Sequence, residues 1–253
     1  MELRILESSL NLRVDRRNDA RLSNTDYQLK KEVAREQLAY KDVDLYCNVE
    51  YMECQDEEYL YEFSKGYKRI SALFGKDNRG ILCYVKKELG ITVVHRKEYP
   101  HFLHFRITKN NETADVIVFR ILVSDSSKED FEDRAKQWNI VMEYIDSNIK
   151  ETSRLILAGD WNHARVRSQY AGYNQESFHY QKIKNDLKIR GLSMGINLKP
   201  GHKEHSYAGY LAIDHIAVGD AFSYLEAPGY SHYHPNAPIG TPDHAYLLAC
   251  IKS

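Results

Sequence analysis

One short segment near the middle of the chain most constrains its fold. Leu155-Ile156-Leu157-Ala158 is an apolar run between a charged residue and a glycine, which is typical of a β-strand buried on both faces. Gly159 permits a sharp turn where that strand ends. Asp160 and Asn162 follow, and in extended geometry their side chains point to the same side. A carboxylate and a carboxamide placed in this way can hold a phosphate or a metal-bound water, although Asp and Asn are also ordinary turn residues.

The composition is that of a globular protein. The 253 residues are 43% apolar and 28% charged, enough for one large α/β domain or two small ones. With 35 basic and 36 acidic residues the net charge is −1, so nucleic acid is not attracted to the chain as a whole and a polyanion site must be local. The four cysteines form no CxxC pair and show no zinc-ligand spacing.

The apolar runs also bear on localisation and domain organisation. Residues 1–7 lack the apolar core of a secretory signal, and no apolar run approaches membrane-spanning length. We therefore expect a cytoplasmic protein that does not enter a membrane, and we expect a monomer. No repeat or Pro/Gly-rich linker marks a boundary, which predicts a single domain over residues 1–253.

Apolar runs along the whole chain predict many strands and few helices. Predicted strands cover residues 3–6, 43–50, 80–85, 91–94, 102–107, 116–123, 155–158, 211–218 and 242–249. The clearest helix begins after Ser126-Ser127 and carries apolar residues at spacings of three or four from Phe131 to Ile149. A second helix is predicted over 177–190. This pattern favours two packed β-sheets covered by helices.

Polar side chains recur at the ends of these apolar runs. They are Asn11, Glu50, Asp160, Asn162, Asp214, Asp243 and His244. Several converging carboxylates repel one another, and oxygen ligands with one imidazole suit a hard cation such as Mg²⁺ or Mn²⁺. Such a cation can polarise a phosphoryl oxygen, and a histidine oriented by an aspartate can stabilise charge on the phosphate or transfer a proton. The set indicates hydrolysis of a phosphate ester.

The order of these motifs resembles the endonuclease/exonuclease/phosphatase superfamily over essentially the whole chain. The residues 44–50 are similar to the family's second strand, and Gly159-Asp160-Trp161-Asn162 matches its Gly-Asp-x-Asn. Ile213-Asp214-His215-Ile216 resembles the strand that orients the catalytic histidine, and Pro242-Asp243-His244 resembles the terminal Ser-Asp-His. The resemblance implies the deoxyribonuclease-I-like fold, an α+β four-layer α/β-sandwich of two packed, mostly antiparallel β-sheets flanked by helices.

The resemblance also implies a role for each residue of the set. Asp160 would position or deprotonate the attacking water, and Asn162 would hold that water and the phosphate. Asp214 would orient the catalytic His244. The residues implied to hold Mg²⁺ or Mn²⁺ are Glu50, Asp243 and Asn11.

Two departures from the family pattern concern the first strand and the strand before the long helix. Ser9 stands where the family has the first Asn of Trp-Asn-x-Asn, and Asn11 keeps only the second. The later strand lacks the His or Tyr of many relatives, and Arg120 is the candidate for a phosphate contact there. His163 and Arg165 are further candidates for substrate binding, with a solvated loop as the alternative for both.

We therefore expect a metal-dependent phosphoesterase that hydrolyses a phosphodiester, first of all a nuclease acting on DNA or RNA. One alternative is a phosphomonoesterase acting on a phosphoinositide or a nucleotide. Another is a binding protein without catalysis on the same scaffold, since a fold does not fix a function.

Overall fold

Two β-sheets packed face to face form the centre of the structure. This computed structural model describes residues 1–12, 27–124, 127–163, 180–196, 205–208, 211–231, 234 and 236–253. Within those residues the strands of the first sheet are β1 (Glu2–Ser9), β2 (Leu45–Met52), β3 (Tyr67–Phe74), β4 (Arg79–Lys86), β11 (Ser223–Tyr224), β12 (Gly229–Ser231) and β13 (Tyr246–Lys252). Those of the second sheet are β5 (Gly90–Lys97), β6 (His101–Lys109), β7 (Glu112–Arg120), β8 (Leu155–Asp160), β9 (Leu192–Met194) and β10 (Asp214–Gly219).

Most neighbouring strands are antiparallel. The first sheet has the order β11-β13-β1-β2-β4-β3, with β12 also paired to β13, and the second has the order β5-β6-β7-β8-β10-β9. The parallel pairs in the described part of the chain are β1 with β2 and β7 with β8. The two strands of each parallel pair therefore end at the same edge of their sheet, and residues of the candidate site lie at these strand ends.

Four helices cover the outer faces of the sheets in the described ranges. They are α1 (Lys31–Leu38), α2 (Glu57–Ser64), α3 (Lys128–Asn148) and α4 (Tyr180–Ile189). One apolar core lies between the sheets, a second lies under α3 and α4, and a third lies under α1 and α2. This layering confirms the predicted four-layer α/β-sandwich of two mostly antiparallel sheets.

The longest helix has the start that its sequence predicts. The Oγ atom of Ser127 accepts a hydrogen bond from the backbone N–H of Asp130, 3.1 Å away, and so caps α3. The apolar residues that follow, among them Trp138, Val141 and Ile145, are buried against the second sheet. This stripe packs α3 on the sheet that contains β8, the next strand in the chain.

Some predicted boundaries differ from those of the structure. The C-terminal apolar run forms a strand only from Tyr246, so Asp243 and His244 lie in the segment that precedes it. The strand β3 was not predicted, because it carries the adjacent charges of Lys68 and Arg69 near its start and its polar residues leave no continuous apolar run. No helix within the described ranges is long and apolar enough to cross a membrane.

Candidate active site

Alternation along β1 places two polar side chains in the space between the sheets. Leu3 and Ile5 of this strand pack in the core between the sheets, and Glu7 and Ser9 continue the same face. Both polar residues are fully buried. The strand thus carries its apolar residues to the middle of the sandwich and its polar residues to one edge.

Three strands of the second sheet bring further polar residues to this edge. Val118 of β7 pairs with Ala158 of β8, and two residues later on the same face the strands carry Arg120 and Asp160. Asp214 of β10 pairs directly with Asp160 across the antiparallel ladder. The two carboxylates are therefore neighbours because of the strand register, and both are buried.

A β-bulge turns Glu50 towards the same edge. Cys47 and Val49 of β2 face the core between the sheets, so regular alternation would direct Glu50 to the helix side. The register of β2 shifts after Asn48, and Glu50 has a left-handed φ of 53°. As a result the Oγ atom of Ser9 donates to Oε2 of Glu50 at 2.8 Å. Bulges of this kind often redirect a side chain beside a functional site.

Asp160 and Asn162 form a close pair through an Asx turn, the alternative that their residue types also allow, rather than through continued extended geometry. The backbone N–H of Asn162 donates to Oδ1 of Asp160 at 3.0 Å, and its Nδ2 donates to Oδ2 at 2.6 Å. Asn162 has a φ of 44°. Gly159 has a φ of 135°, and a Cβ atom there would lie 2.0 Å from the carbonyl oxygen of Phe119. The glycine is therefore required by the close approach of β7 as well as by the turn.

His244 and Asp214 form a buried hydrogen-bonded pair. The Nδ1 atom of His244 lies 2.8 Å from Oδ2 and 3.0 Å from Oδ1 of Asp214. The other ring nitrogen, Nε2, lies 3.9 Å from Oδ1 of Asp243. A ring contact with Tyr207, 4.6 Å between centroids, covers the imidazole. This is the geometry of a histidine whose tautomer and orientation are set by an aspartate.

Burial and neighbouring charges change the protonation of this group. Burial, followed by the charge of Asp214, raises the pKa of Asp160 to about 7, while His244 and Arg120 act in the opposite direction. Burial disfavours the charged form of His244, but Asp214, Asp160 and Asp243 outweigh it and raise the pKa of His244 well above its usual value. The expected state near neutral pH is an imidazolium beside carboxylates, one of which can take up a proton.

Glu7 is a further acid behind this pair. Its side chain is completely buried, and neither carboxylate oxygen has a hydrogen-bond partner among the described residues. Burial, together with the charges of Asp214 and Asp160, raises the pKa of Glu7 well above the usual value, although His244 opposes this. Glu7 belongs to none of the motifs in the sequence, although alternation with Leu3 and Ile5 places it on the inner face.

Two of the predicted residues, Asn11 and His163, are not gathered with the others, and a third lies outside the described residues. The amide of Asn11 donates to the carbonyl oxygens of residues 237, 238 and 241, so its contacts hold a loop. His163 is buried and its Nε2 lies 2.9 Å from Nε2 of His215, on the helix side of the sheet and opposite to Asp214. Arg165 lies outside the described residues.

Two supporting residues could not be identified from the sequence. The Oγ atom of Ser206 accepts hydrogen bonds from the backbone N–H groups of Ile213, at 3.0 Å, and Asp214, at 3.3 Å. The hydroxyl of Tyr230 donates to the carbonyl oxygen of Asp214 at 2.6 Å. Both residues fix the start of β10, and neither belongs to a motif or follows an apolar run.

The donor set at this edge fits a hard divalent cation. One ligand atom from each of Asp160, Asp214 and His244 lies within 4.8 Å of the others. Two more buried acids, Glu7 and Glu50, lie on the same face. Oxygen-rich sites of this kind favour Mg²⁺ or Mn²⁺ over zinc.

Known structures with this architecture include nucleic-acid enzymes. A D. rerio TDP2 complexed with a single-strand DNA product is 12% identical, covers 100% of this chain and 99% of that chain, and has a TM-score of 0.62. The endonuclease domain of TRAS1, a telomere-specific non-LTR retrotransposon, is 12% identical over 99% of both chains with a TM-score of 0.58. An endonuclease/exonuclease/phosphatase from Bacteroides vulgatus is 12% identical, covers 100% of this chain and 98% of that chain, and has a TM-score of 0.64.

The likeness to these proteins is one of structure. Neither a protein-family model nor a curated protein sequence matches this chain. The chain shares the deoxyribonuclease-I-like fold with these structures.

Proposed function

We propose that the protein is a metal-assisted phosphoesterase that hydrolyses a phosphodiester and acts as a nuclease on DNA or RNA. The observation that carries this proposal is the meeting of two pairs, Asp160 with Asn162 and Asp214 with His244, at one edge of the sandwich. The first pair can hold and deprotonate a water, and the second can stabilise the charge of a phosphate.

The roles of these residues follow from their protonation and contacts. With a pKa of about 7, Asp160 can accept a proton from water near neutral pH while the water oxygen attacks phosphorus. Asn162 holds the Asp160 carboxylate through its amide N–H, and its side-chain oxygen can accept a hydrogen bond from the same water. The His244 imidazolium, held by Asp214, stabilises the negative charge on the phosphate and can give its proton to the leaving oxygen.

A divalent cation would be held by the carboxylate oxygens at this edge, with Asp160, Asp214 and Asp243 as the nearest candidates. When bound, Mg²⁺ or Mn²⁺ polarises a phosphoryl oxygen and stabilises the leaving oxygen. The resemblance also assigns Glu50 to the cation. In this chain both oxygens of that carboxylate already accept hydrogen bonds, from Arg120 and Ser9.

The choice of nucleic acid as substrate is supported by the structural neighbours, one of which holds a DNA product and another of which is an endonuclease domain. The net charge of −1 favours a second candidate, a phosphomonoester such as a phosphoinositide headgroup or a nucleotide. A small substrate needs few backbone contacts, whereas affinity for long DNA depends on many basic contacts with phosphates.

An activity screen tests the proposal. Purified wild type, Asp160→Asn and the exposed control Asp220→Asn would be assayed with Mg²⁺, Mn²⁺ or a chelator. The substrates would be single- and double-stranded DNA, RNA, an abasic duplex, a phosphoinositide and a generic phosphodiester. We expect cation-dependent hydrolysis that falls by about 10²- to 10⁴-fold in Asp160→Asn and is unchanged in Asp220→Asn. Full activity in Asp160→Asn would exclude the assigned base, and no hydrolysis by folded wild type would favour a binding protein.

A further inference from the structure

A guanidinium occupies the side of Glu50 that faces Asp160. Arg120 is the last residue of β7, and its Nη2 donates to Oε1 of Glu50. Its Nε lies 3.4 Å from Oδ2 of Asp160, an ion-pair distance. The Oγ atom of Ser9 donates to the other oxygen of Glu50 at 2.8 Å. Each oxygen of Glu50 therefore already faces a donor, and one faces a positive charge.

The burial of this group makes the positive charge necessary. The side chain of Glu50 is 1% exposed and that of Arg120 is 16% exposed. A carboxylate at this depth requires a counter-charge, and a guanidinium provides one that does not deprotonate in proteins. The planar guanidinium also reaches two acids at once, so it links the bulge of β2 to the end of β8.

The position of Arg120 sets a condition for any cation at Glu50. Two positive charges that share one carboxylate repel each other, most strongly where water is excluded. A divalent cation could coordinate Glu50 only by competing with the guanidinium. Ser9, with its shorter side chain, strengthens the same conclusion because its hydroxyl is used as a donor to Glu50 rather than as a ligand.

We propose that Arg120 is the resident counter-cation of Glu50, so that a divalent cation binds beside Asp160 and Asp214 without using Glu50. This inference deepens the proposed function and rests on it in one respect, the binding of a divalent cation. Arg120 is then a positioning residue that ties Glu50 to Asp160, and Glu50 becomes available to a cation only when Arg120 is removed.

Titration with Mn²⁺ in the absence of substrate separates this arrangement from one in which Glu50 is a ligand. Calorimetry would compare wild type, Glu50→Gln, Arg120→Gln and the double variant Arg120→Gln/Glu50→Gln, with Arg120→Lys as the charge-matched control. We expect wild type and the double variant, which carry the same net charge at this position, to bind Mn²⁺ equally, and Glu50→Gln, which leaves the Arg120 charge uncompensated, to bind it more weakly. We expect Arg120→Gln to bind it about tenfold tighter or to gain a second ion, and the double variant and Arg120→Lys to lack this gain.

Thermal unfolding provides a second readout, because Arg120→Gln leaves a buried charge unpaired. Its melting temperature in chelator should fall below that of wild type, and Mn²⁺ should raise it by more than it raises that of wild type. The double variant should lose this extra rise.

Two results would overturn the inference. One is a loss of Mn²⁺ affinity in the double variant relative to wild type, and the other is an Arg120→Gln variant that gains neither affinity nor thermal rescue. Should Arg120→Gln prove too unstable to titrate, the comparison of wild type with the double variant still decides. Wild type that binds no Mn²⁺ would count against the cation in the proposed function, whereas a gain in Arg120→Gln would still support the role of Arg120.

Discussion

The buried and unpaired Glu7 leads to a quantitative prediction about stability and pH. Its folded-state pKa is raised well above the usual value, primarily by burial, so the native protein holds a proton on this acid that the unfolded chain releases. Stability from this group is fully present below the unfolded pKa of about 4.5 and declines as the pH rises towards the folded pKa. The decline is about 1.4 kcal/mol per pH unit for one proton.

The perturbation is Glu7→Gln, which keeps the size of the side chain and cannot ionise. The free energy of unfolding of this variant, relative to wild type, should increase by about 1.4 kcal/mol for each pH unit between pH 5 and the folded pKa of Glu7. Over two pH units this is about 2.7 kcal/mol. A buried amide can add a constant cost of its own, so the slope with pH is the quantity to compare, not the offset.

Urea unfolding at pH 5, 6, 7 and 8 measures this slope. The matched control is Glu143→Gln, since Glu143 lies on the exposed side of α3, and its profile should run parallel to that of wild type. Parallel profiles for wild type and Glu7→Gln would show that Glu7 titrates as it does in the unfolded chain. That result would refute the reasoning from burial.

Two further changes test the supports of the site. Gly159→Ala should lower the free energy of unfolding by at least about 3 kcal/mol, because its Cβ would lie 2.0 Å from a backbone oxygen. The control Gly66→Ala, with no atom within 4 Å of the added Cβ, should change the free energy of unfolding little. Equal melting temperatures of the two variants would contradict this prediction. Ser9→Ala removes a hydrogen-bond donor to the buried carboxylate of Glu50 and should lower the free energy of unfolding, measured by denaturant titration, by about 1–3 kcal/mol. Ser9→Thr, which keeps the hydroxyl, should recover part of that stability. An unchanged unfolding midpoint in Ser9→Ala would show that the hydrogen bond is not needed.

Much of the sandwich could be predicted because its signals are local. The run 155–158 is a central strand, Ser127 caps α3, and the pair Asn110-Asn111 turns with left-handed φ values between β6 and β7. The pairing of Asp160 with Asn162 is equally local, because it is made by an Asx turn, for which Asp and Asn are common residues. Each of these features depends on residues within a few positions of one another, so a single sequence contains the information.

Contacts between distant strands could not be predicted in the same way. The ion pair of Arg120 with Glu50 joins residues 70 positions apart, and the contact between His163 and His215 joins residues 52 apart. Whether His163 faces the site or the helices depends on the path of the chain after β8, which the motif does not fix. Asn11 illustrates the same limit, because its amide is used by the loop at 237–241.

The local conformation of Glu50 shows why a residue in the family's metal position need not serve as a ligand. Asn11, Glu50 and Asn162 all have positive φ values at the ends of strands, and for glutamate this conformation is uncommon. Such backbone strain persists only where surrounding contacts maintain it, and it concentrates at functional sites. At Glu50 the contacts that maintain it are those of Arg120 and Ser9. The bulge therefore turns the carboxylate towards the site, and the same contacts that hold it there occupy its oxygens, so position in the motif and availability to a cation have to be tested separately.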